Sequence, residues 1–534
     1  CIIGTKMPAI QWQAVIRQWS VVAALFIVLC GGPTMGHNIE HMPNWLLLIS
    51  MDGFRHDYIH LAAKSGYNVS AFRRLQQEGI SGRTVIDDFV SKTFPNHYTI
   101  ATGLHEERHG VLSNKFYDPE LQRGFDASTS TETAMWNNGS RDASGPEPIW
   151  VTAQRHKLHS AVLNWPSSAA KIKSAYPTYS LGLYSHQNAM QADYYIERIA
   201  NWFETDEHCR LSLLYLPEPD STGHKFGPDS PKILEMVQTL NDHLSRLLDR
   251  FESSKKLKGK VNIILTSDHG MTKLDKSKVI FMDTIVNRSL YNAELSHDYT
   301  AWHVWPAAGK EQIVFDKLKA ASANQPFTVL RKGDPWLIRS HYNYNRRIAP
   351  IFLVAKLHSA IVYNNTCDEY KVLTSGERLG DHGYNNSDPD MHPIFAAWGP
   401  AFLANRTVSQ VRLVDIYPLC CELLGLHASE HDAGPKLAEP IRAILRDDDD
   451  DDEAGKSFYL SSTLVTTFVS FLLVACLTSV FALGAMRAYR TSLYRRNRRF
   501  GLLDDTTNSS GGRGGGGGFN HHDRLPLSLD DEDF

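Results

Sequence analysis

Three short apolar runs, each delivered onto an aspartate, constrain this chain more than any other feature. Trp45–Ser50 (WLLLIS), Leu211–Leu216 (LSLLYL) and Val261–Ser267 (VNIILTS) are almost uninterrupted in apolar residues and lead to Asp52, Asp220 and Asp268. Strands buried on both faces of a parallel sheet read this way, because neither face meets water and no alternation is imposed. Between them lie amphipathic stretches such as Pro231–Phe251, with proline at the start and apolar residues at helical spacing, which predicts a crossover helix. This alternation over about 43–432 predicts an α/β domain with a central, mostly parallel sheet flanked by helices. Over about 287–380 the pattern becomes irregular ("KGDPW", "HYNYNRR"), which reads as an inserted subdomain at the edge or mouth of the sheet.

The length of 534 residues exceeds what one hydrophobic core usually supports, so accessory segments are expected. From Met7, an arginine, the run SVVAALFIVLC and a small-residue stretch form a secretory signal pattern over 7–36. Residues 458–486 contain no charged side chain, and the arginines from Arg487 to Arg499 follow at once. That pattern predicts a transmembrane helix with a cytosolic tail over 487–534, placing the bulk of the chain outside the cell as a single-pass type I membrane protein. The acidic stretch within 433–457 reads as an extended stalk, and the glycine-rich tail as flexible linker. Sequons at Asn68, Asn138, Asn287, Asn364, Asn385 and Asn405 agree with an N-glycosylated outer domain. Four cysteines fall in that domain, Cys209, Cys367, Cys420 and Cys421, with three ways to pair. The net charge of −4, with no basic stretch outside the C-terminal region, argues against a nucleic-acid polymer as partner.

In open α/β sheets, ligands gather beyond the carboxyl ends of the strands, so the three aspartates should meet in one crevice. Clustered carboxylates repel unless cations sit among them. Histidines stand beside them: His269 follows Asp268, His224 lies four residues after Asp220, and His382 sits in "GDHGYNN". Oxygen and nitrogen donors without cysteine suit zinc, with manganese or cobalt as alternatives. Six ligands exceed the needs of one tetrahedral ion, and two neighbouring ions are the arrangement that clamps a phosphoryl group.

The motifs "LLLISMDGFR", "KTFPNHYTIATGLHEERHGVLSN", "YLPEPDSTGHKFGP", "TSDHGM" and "GDHGYNN" together resemble the ectonucleotide pyrophosphatase/phosphodiesterase family of the alkaline phosphatase superfamily. The resemblance implies an alkaline-phosphatase-like fold and two Zn²⁺, one held by Asp220, His224 and His382, the other by Asp52, Asp268 and His269 with Thr93 beside it. It implies Thr93 as the nucleophile and Asn114 as a donor to the phosphoryl oxygen. Phe94, next to that threonine, reads as an aromatic face for a nucleobase, with Tyr179 as its other side. Thr93 would carry a nucleotidyl intermediate, releasing a nucleoside 5′-monophosphate. Where the family often has W-P-G, this chain has Trp165, Pro166 and Ser167, which changes the expected pocket shape. His97 and His109 read as structural. The architecture is similar to the short, C-terminally anchored members, whose substrates include extracellular nucleotides and dinucleoside polyphosphates. A choline-phospholipid phosphodiesterase of the same fold and a non-catalytic surface receptor are the competing readings. A sulfatase is disfavoured, since no C-x-P-x-R or S-x-P-x-R motif is present.

Overall fold

A computed structural model describes residues 45–129, 131–138, 145–181, 191–292, 298–434, 439–446, 484–489 and 491–492. The chain divides into two compact units, 1–446 and 447–534. The first is built on an eight-stranded sheet. Its strands, in chain order, are β1 (Trp45–Met51), β2 (Ile80–Ile86), β3 (His159–Leu163), β4 (Tyr179–Leu181), β5 (Cys209–Leu216), β6 (Val261–Thr266), β7 (Phe395–Trp398) and β8 (Arg406–Arg412). Their order across the sheet is β8-β2-β7-β6-β1-β5-β3-β4.

The three apolar runs are the three neighbouring strands at the centre: Leu46–Met51 pair in parallel with Leu211–Leu216, and Trp45–Ser50 with Val261–Thr266. Side chains alternate between two buried layers, as the period of a strand requires. Leu46, Leu48, Leu213 and Ile264 face a layer containing Phe94, Trp136 and Trp150. Leu47, Ile49, Leu214 and Ile263 face the other, which includes residues of two helices, α2 (Ala192–Thr205) and α4 (Pro231–Ser253). The second of these begins as its sequence requires: Ser230 caps the Lys232 N–H and Pro231 occupies the first turn. Only β7 runs antiparallel to its neighbours, so the sheet is mixed and mostly parallel.

Within 287–380 the chain forms order that its irregular sequence concealed. Ala301–Val304 and Phe327–Arg331 pair antiparallel on either side of Ile351–Ala355. These strands are only four or five residues long, too short to establish a period. Trp302, Val304, Phe327, Ile351 and Leu353 give the region its own core. It is tied to the hairpin Lys115–Asp126 by Arg347, whose guanidinium donates to Asp118 Oδ2 at 2.7 Å with both side chains buried.

Cys209, Cys367, Cys420 and Cys421 are all free thiols, so none of the pairings left open by sequence forms and stability rests on the core. The signal segment, nearly all of the proposed membrane span and most of the tail lie outside the described residues. Among the described residues no helix is long and apolar enough to cross a membrane.

Candidate active site

Beyond the carboxyl ends of the central strands, Asp52, Asp220 and Asp268 converge. Asp52 follows β1 directly, and Asp268 lies two residues past β6. Asp220 opens a short helix, α3 (Asp220–Phe226), which turns His224 onto the same side one turn later. The close approach depends on Gly53. Its φ is +65°, and a Cβ there would lie 2.8 Å from Asp220 Cβ. The Asp220 N–H donates to Asp52 O at 3.0 Å, so the two turns are clasped by their backbones.

Two clusters result: Asp52, Asp268 and His269, and Asp220, His224 and His382. In the first, Asp268 Oδ1 accepts from the Gly53 and His269 N–H groups and the Ser267 hydroxyl, while Tyr215 donates to Asp52 Oδ2. The remaining oxygens, Asp52 Oδ1 and Asp268 Oδ2, are buried without hydrogen-bond partners and lie 3.3 and 3.1 Å from His269 Nε2. In the second, Asp220 Oδ2 is 3.3 Å from His224 Nε2 and Oδ1 is 3.6 Å from His382 Nε2. All three histidines donate from Nδ1 to a backbone carbonyl at 2.8 Å: His269 to Gly270, His224 to Gly380, His382 to Ser91. That fixes one tautomer and leaves Nε2 as the accepting nitrogen of each ring, beside its cluster's carboxylates. The His269 and His382 rings stack with centroids 3.5 Å apart, which makes the clusters immediate neighbours.

Buried carboxylate oxygens without donors beside converging imidazole nitrogens are what a divalent cation requires and what a metal-free core avoids. The electrostatics agree. Burial pushes the Asp52 carboxyl well above the usual carboxylate range, and the Asp268 and Asp220 charges add to it. Asp268 and Asp220 are held low despite burial, Asp268 by His269 and His97, Asp220 by His224. The residues therefore fit two hard or borderline cations side by side.

Thr93 is the first residue of α1 (Thr93–Thr102) and its Oγ1 lies 3.3 Å from His269 Nε2. The preceding loop is held by Asn96, whose amide donates to Asp88 O, Val90 O and Lys92 O. His97, buried, bridges Thr93 O at 2.7 Å and Ser50 Oγ on β1 at 2.9 Å, so it locks the helix to the sheet. His109 contacts Thr99 Oγ1 at 3.0 Å, within the same packing. The Phe94 N–H donates to Asn114 at 3.1 Å, and only the amide oxygen can accept. Asn114 Nδ2, with its two protons, is thereby turned away from that bond while the residue lines the cleft that Thr93 lines.

The cleft encloses about 430 Å³ and is bordered by Thr93, Phe94, Asn114, Asp220, His224 and His382. Phe94 is 3% exposed at its wall. Tyr179 does not border it. It starts β4, at the end of the sheet opposite to the aspartates, stacks on Trp202 at 5.1 Å and donates to Asp206 at 2.9 Å. The structure therefore does not bring it to the residues that line the cleft, where the sequence expected a wall of a base pocket. Sequence reasoning missed Lys92, Arg378 and Asp381. Lys92 Nζ lies 2.7 Å from Asp298 and 3.8 Å from Asp381, and Arg378 donates from Nε and Nη2 to Asp381 at 2.9 and 3.0 Å. Their signal was adjacency: Lys92 precedes Thr93, and Asp381 precedes His382.

The chain matches the family described as type I phosphodiesterase / nucleotide pyrophosphatase over residues 46–385. It is 34% identical over 389 residues to human ectonucleotide pyrophosphatase/phosphodiesterase family member 5, covering 72% of this chain and 76% of that one. It is 33% identical over 408 residues to human bis(5′-adenosyl)-triphosphatase, covering 75% and 83%. The structure of murine ectonucleotide pyrophosphatase/phosphodiesterase 5, an inactive variant in complex with AMP, is similar with a TM-score of 0.67 and 33% identity, covering 76% of this chain and 100% of that one. A helix that starts on Thr93 beside two adjacent acid–histidine clusters, together with this extent of similarity, leads to one conclusion: the chain belongs to the ectonucleotide pyrophosphatase/phosphodiesterase family of the alkaline phosphatase superfamily and is a hydrolase of nucleotide phosphodiester or pyrophosphate bonds.

Proposed function

We propose that the protein is a two-zinc phosphodiesterase at the cell surface that cleaves extracellular nucleotides, dinucleoside polyphosphates among them, through a threonine-bound intermediate. The observation that carries this reading is the pair of clusters, with buried unpartnered carboxylate oxygens and converging Nε2 atoms, beside Thr93 Oγ1. Asp52, Asp268 and His269, with Thr93, would hold one ion; Asp220, His224 and His382 would hold the other. Such cations, when bound, lower the pKa of a coordinated hydroxyl or water and neutralise charge on the phosphoryl oxygens. Thr93 Oγ forms the bond to phosphorus as the bond to the leaving oxygen breaks, giving a nucleotidyl-threonine; water then cleaves that ester and a nucleoside 5′-monophosphate departs. Asn114 Nδ2 donates to the non-bridging oxygen on which charge grows. A neutral amide matches a diester, which carries a single negative charge. Phe94 offers its ring to the base, where stacking contributes about 1–3 kcal/mol. The AMP bound to the murine relative, and the bis(5′-adenosyl)-triphosphatase name of the human one, support this substrate class.

The outer location, the membrane span and the N-glycans belong to the same proposal. At Asn68, Asn287, Asn364 and Asn385 the side-chain oxygen accepts from the N–H two residues on, presenting each sequon in a turn. Asn138 differs: its Nδ2 donates to Arg108 O at 3.2 Å and its Oδ1 accepts from Asn345 Nδ2 at 3.0 Å, so its amide is already engaged. The test is product analysis of the purified protein with a dinucleoside triphosphate, a nucleoside triphosphate and glycerophosphocholine. Release of nucleoside 5′-monophosphate is expected; preference for the choline ester would overturn the substrate class.

A further inference from the structure

Arg378 stands on the rim of the cluster of Asp220, His224 and His382, at the cleft that Thr93 also borders. Thr93 lies against His269 of the first cluster. In-line displacement sends the leaving oxygen out on the side opposite the nucleophile, toward the second cluster of Asp220, His224 and His382. On the rim of that cluster, Arg378 Nη2 is 3.3 Å from His224 Nε2, and the arginine borders the same cleft as Thr93. Its side chain is 22% exposed, enough to be reached from the cleft.

The guanidinium is held rather than free. Nε and Nη2 form a two-pronged pair with the fully buried Asp381, and Asp381 is itself fixed by the His382 N–H at 2.8 Å. The ring of Tyr299 lies below it, 4.8 Å from the guanidinium carbon. Nη1 has no hydrogen-bond partner among the described residues, so two directed donors point away from the Asp381 pair. Because Asp381 balances its charge, Arg378 contributes oriented N–H groups and not a general attraction. A planar fork with its rotamer already fixed suits a phosphate oxygen, and it loses little further freedom on binding. A simple diester offers such a group only the phosphoryl under attack. A pyrophosphate-linked substrate offers a second phosphate on the leaving side.

We infer that Arg378 is a specificity-determining residue that binds the phosphate next to the scissile bond on the leaving side, favouring nucleoside polyphosphates over diesters whose leaving group carries no phosphate. This deepens, and rests on, the proposed nucleotide phosphodiesterase reading. The experiment compares the parent with Arg378→Gln and Arg378→Lys on a dinucleoside triphosphate and on the p-nitrophenyl ester of a nucleoside 5′-monophosphate. For Arg378→Gln, kcat/KM on the dinucleotide falls by about 10- to 100-fold, as expected for lost hydrogen bonds to a charged group. The ester loses far less, and Arg378→Lys recovers part of the difference. In a Thr93→Ala background, the same change removes any advantage of ADP over AMP in equilibrium binding, with bound metal equal to that of the Thr93→Ala parent. Equal losses on both substrates, or loss of metal, would overturn the proposal by showing that Arg378 merely supports His224. No loss on the dinucleotide would overturn it as well. Failure of the parent on both substrates would instead sink the underlying reading, and the proposal with it.

Discussion

The two acid–histidine clusters are built from the same residue types but sit at different depths. Asp52, Asp268 and His269 are all 0% exposed, and their carboxylates are gripped by Tyr215, Ser267 and backbone N–H groups. Asp220 and His382 are 3% exposed, and the His224 side chain 18%, with Arg378 alongside. The deep cluster adjoins the threonine; the rim cluster adjoins solvent and the cleft mouth. Under the proposed mechanism this difference would divide the labour: the inner half would fix the nucleophile, and the outer half would receive the leaving group and admit water.

The strongest challenge to that division is Thr93→Ala. It should lower turnover by on the order of 10³-fold or more, since no other hydroxyl takes its place, while bound metal stays near the parent's because six ligands remain. Retained turnover would detach the deep cluster from the chemistry. Asn114→Ala comes next, with a loss of about 10²-fold in kcat and little change in KM, as for removal of one oxyanion donor. A loss confined to KM would make Asn114 a ground-state contact.

Gly53→Ala tests the seam between the clusters. A methyl 2.8 Å from Asp220 Cβ, on a backbone at φ +65°, should destabilise the fold by about 1–3 kcal/mol in a denaturant melt. Unchanged stability would show that the two turns are not held in contact. The metal-free protein separates the halves by charge. Asp52 is raised, so between its unfolded value near ~4 and its folded value the native state holds the extra proton, and stability falls as pH rises through that window. Asp220 is lowered, so its contribution is present above the unfolded value and is lost as pH falls through the folded one. Asp52→Asn should therefore raise the melting temperature of chelated protein at neutral pH, whereas Asp220→Asn should not. The reverse order would contradict the assigned depths. The smallest effect is kinetic: a chelator should strip one ion faster than the other, and His224→Ala should remove the fast phase alone.

How much of this was legible in the chain follows the same contrast. The central strands announced themselves because burial on both faces leaves unbroken apolar runs, and each run leads within four residues to an aspartate of the deep or rim cluster. The six acid and histidine residues were readable from adjacency and from the resemblance. Gly53 was only a turn in sequence, since its need to lack a Cβ arises from Asp220, 167 positions away and brought close by folding. Tyr179 was misplaced because a tyrosine near a family motif carries no sign of which end of an edge strand it occupies. Arg378 and Asp381 were overlooked because their pairing is local, while the cleft that Arg378 borders is assembled only by folding. The region 287–380 read as irregular because its strands are too short to show a period, although they build a buried sheet.

The most direct test is to locate the ions. Zinc-edge anomalous diffraction from crystals of the full chain should give two peaks, one among Asp52, Asp268, His269 and Thr93, the other among Asp220, His224 and His382. A single peak, or two peaks elsewhere with these side chains bound to nothing, would contradict the account.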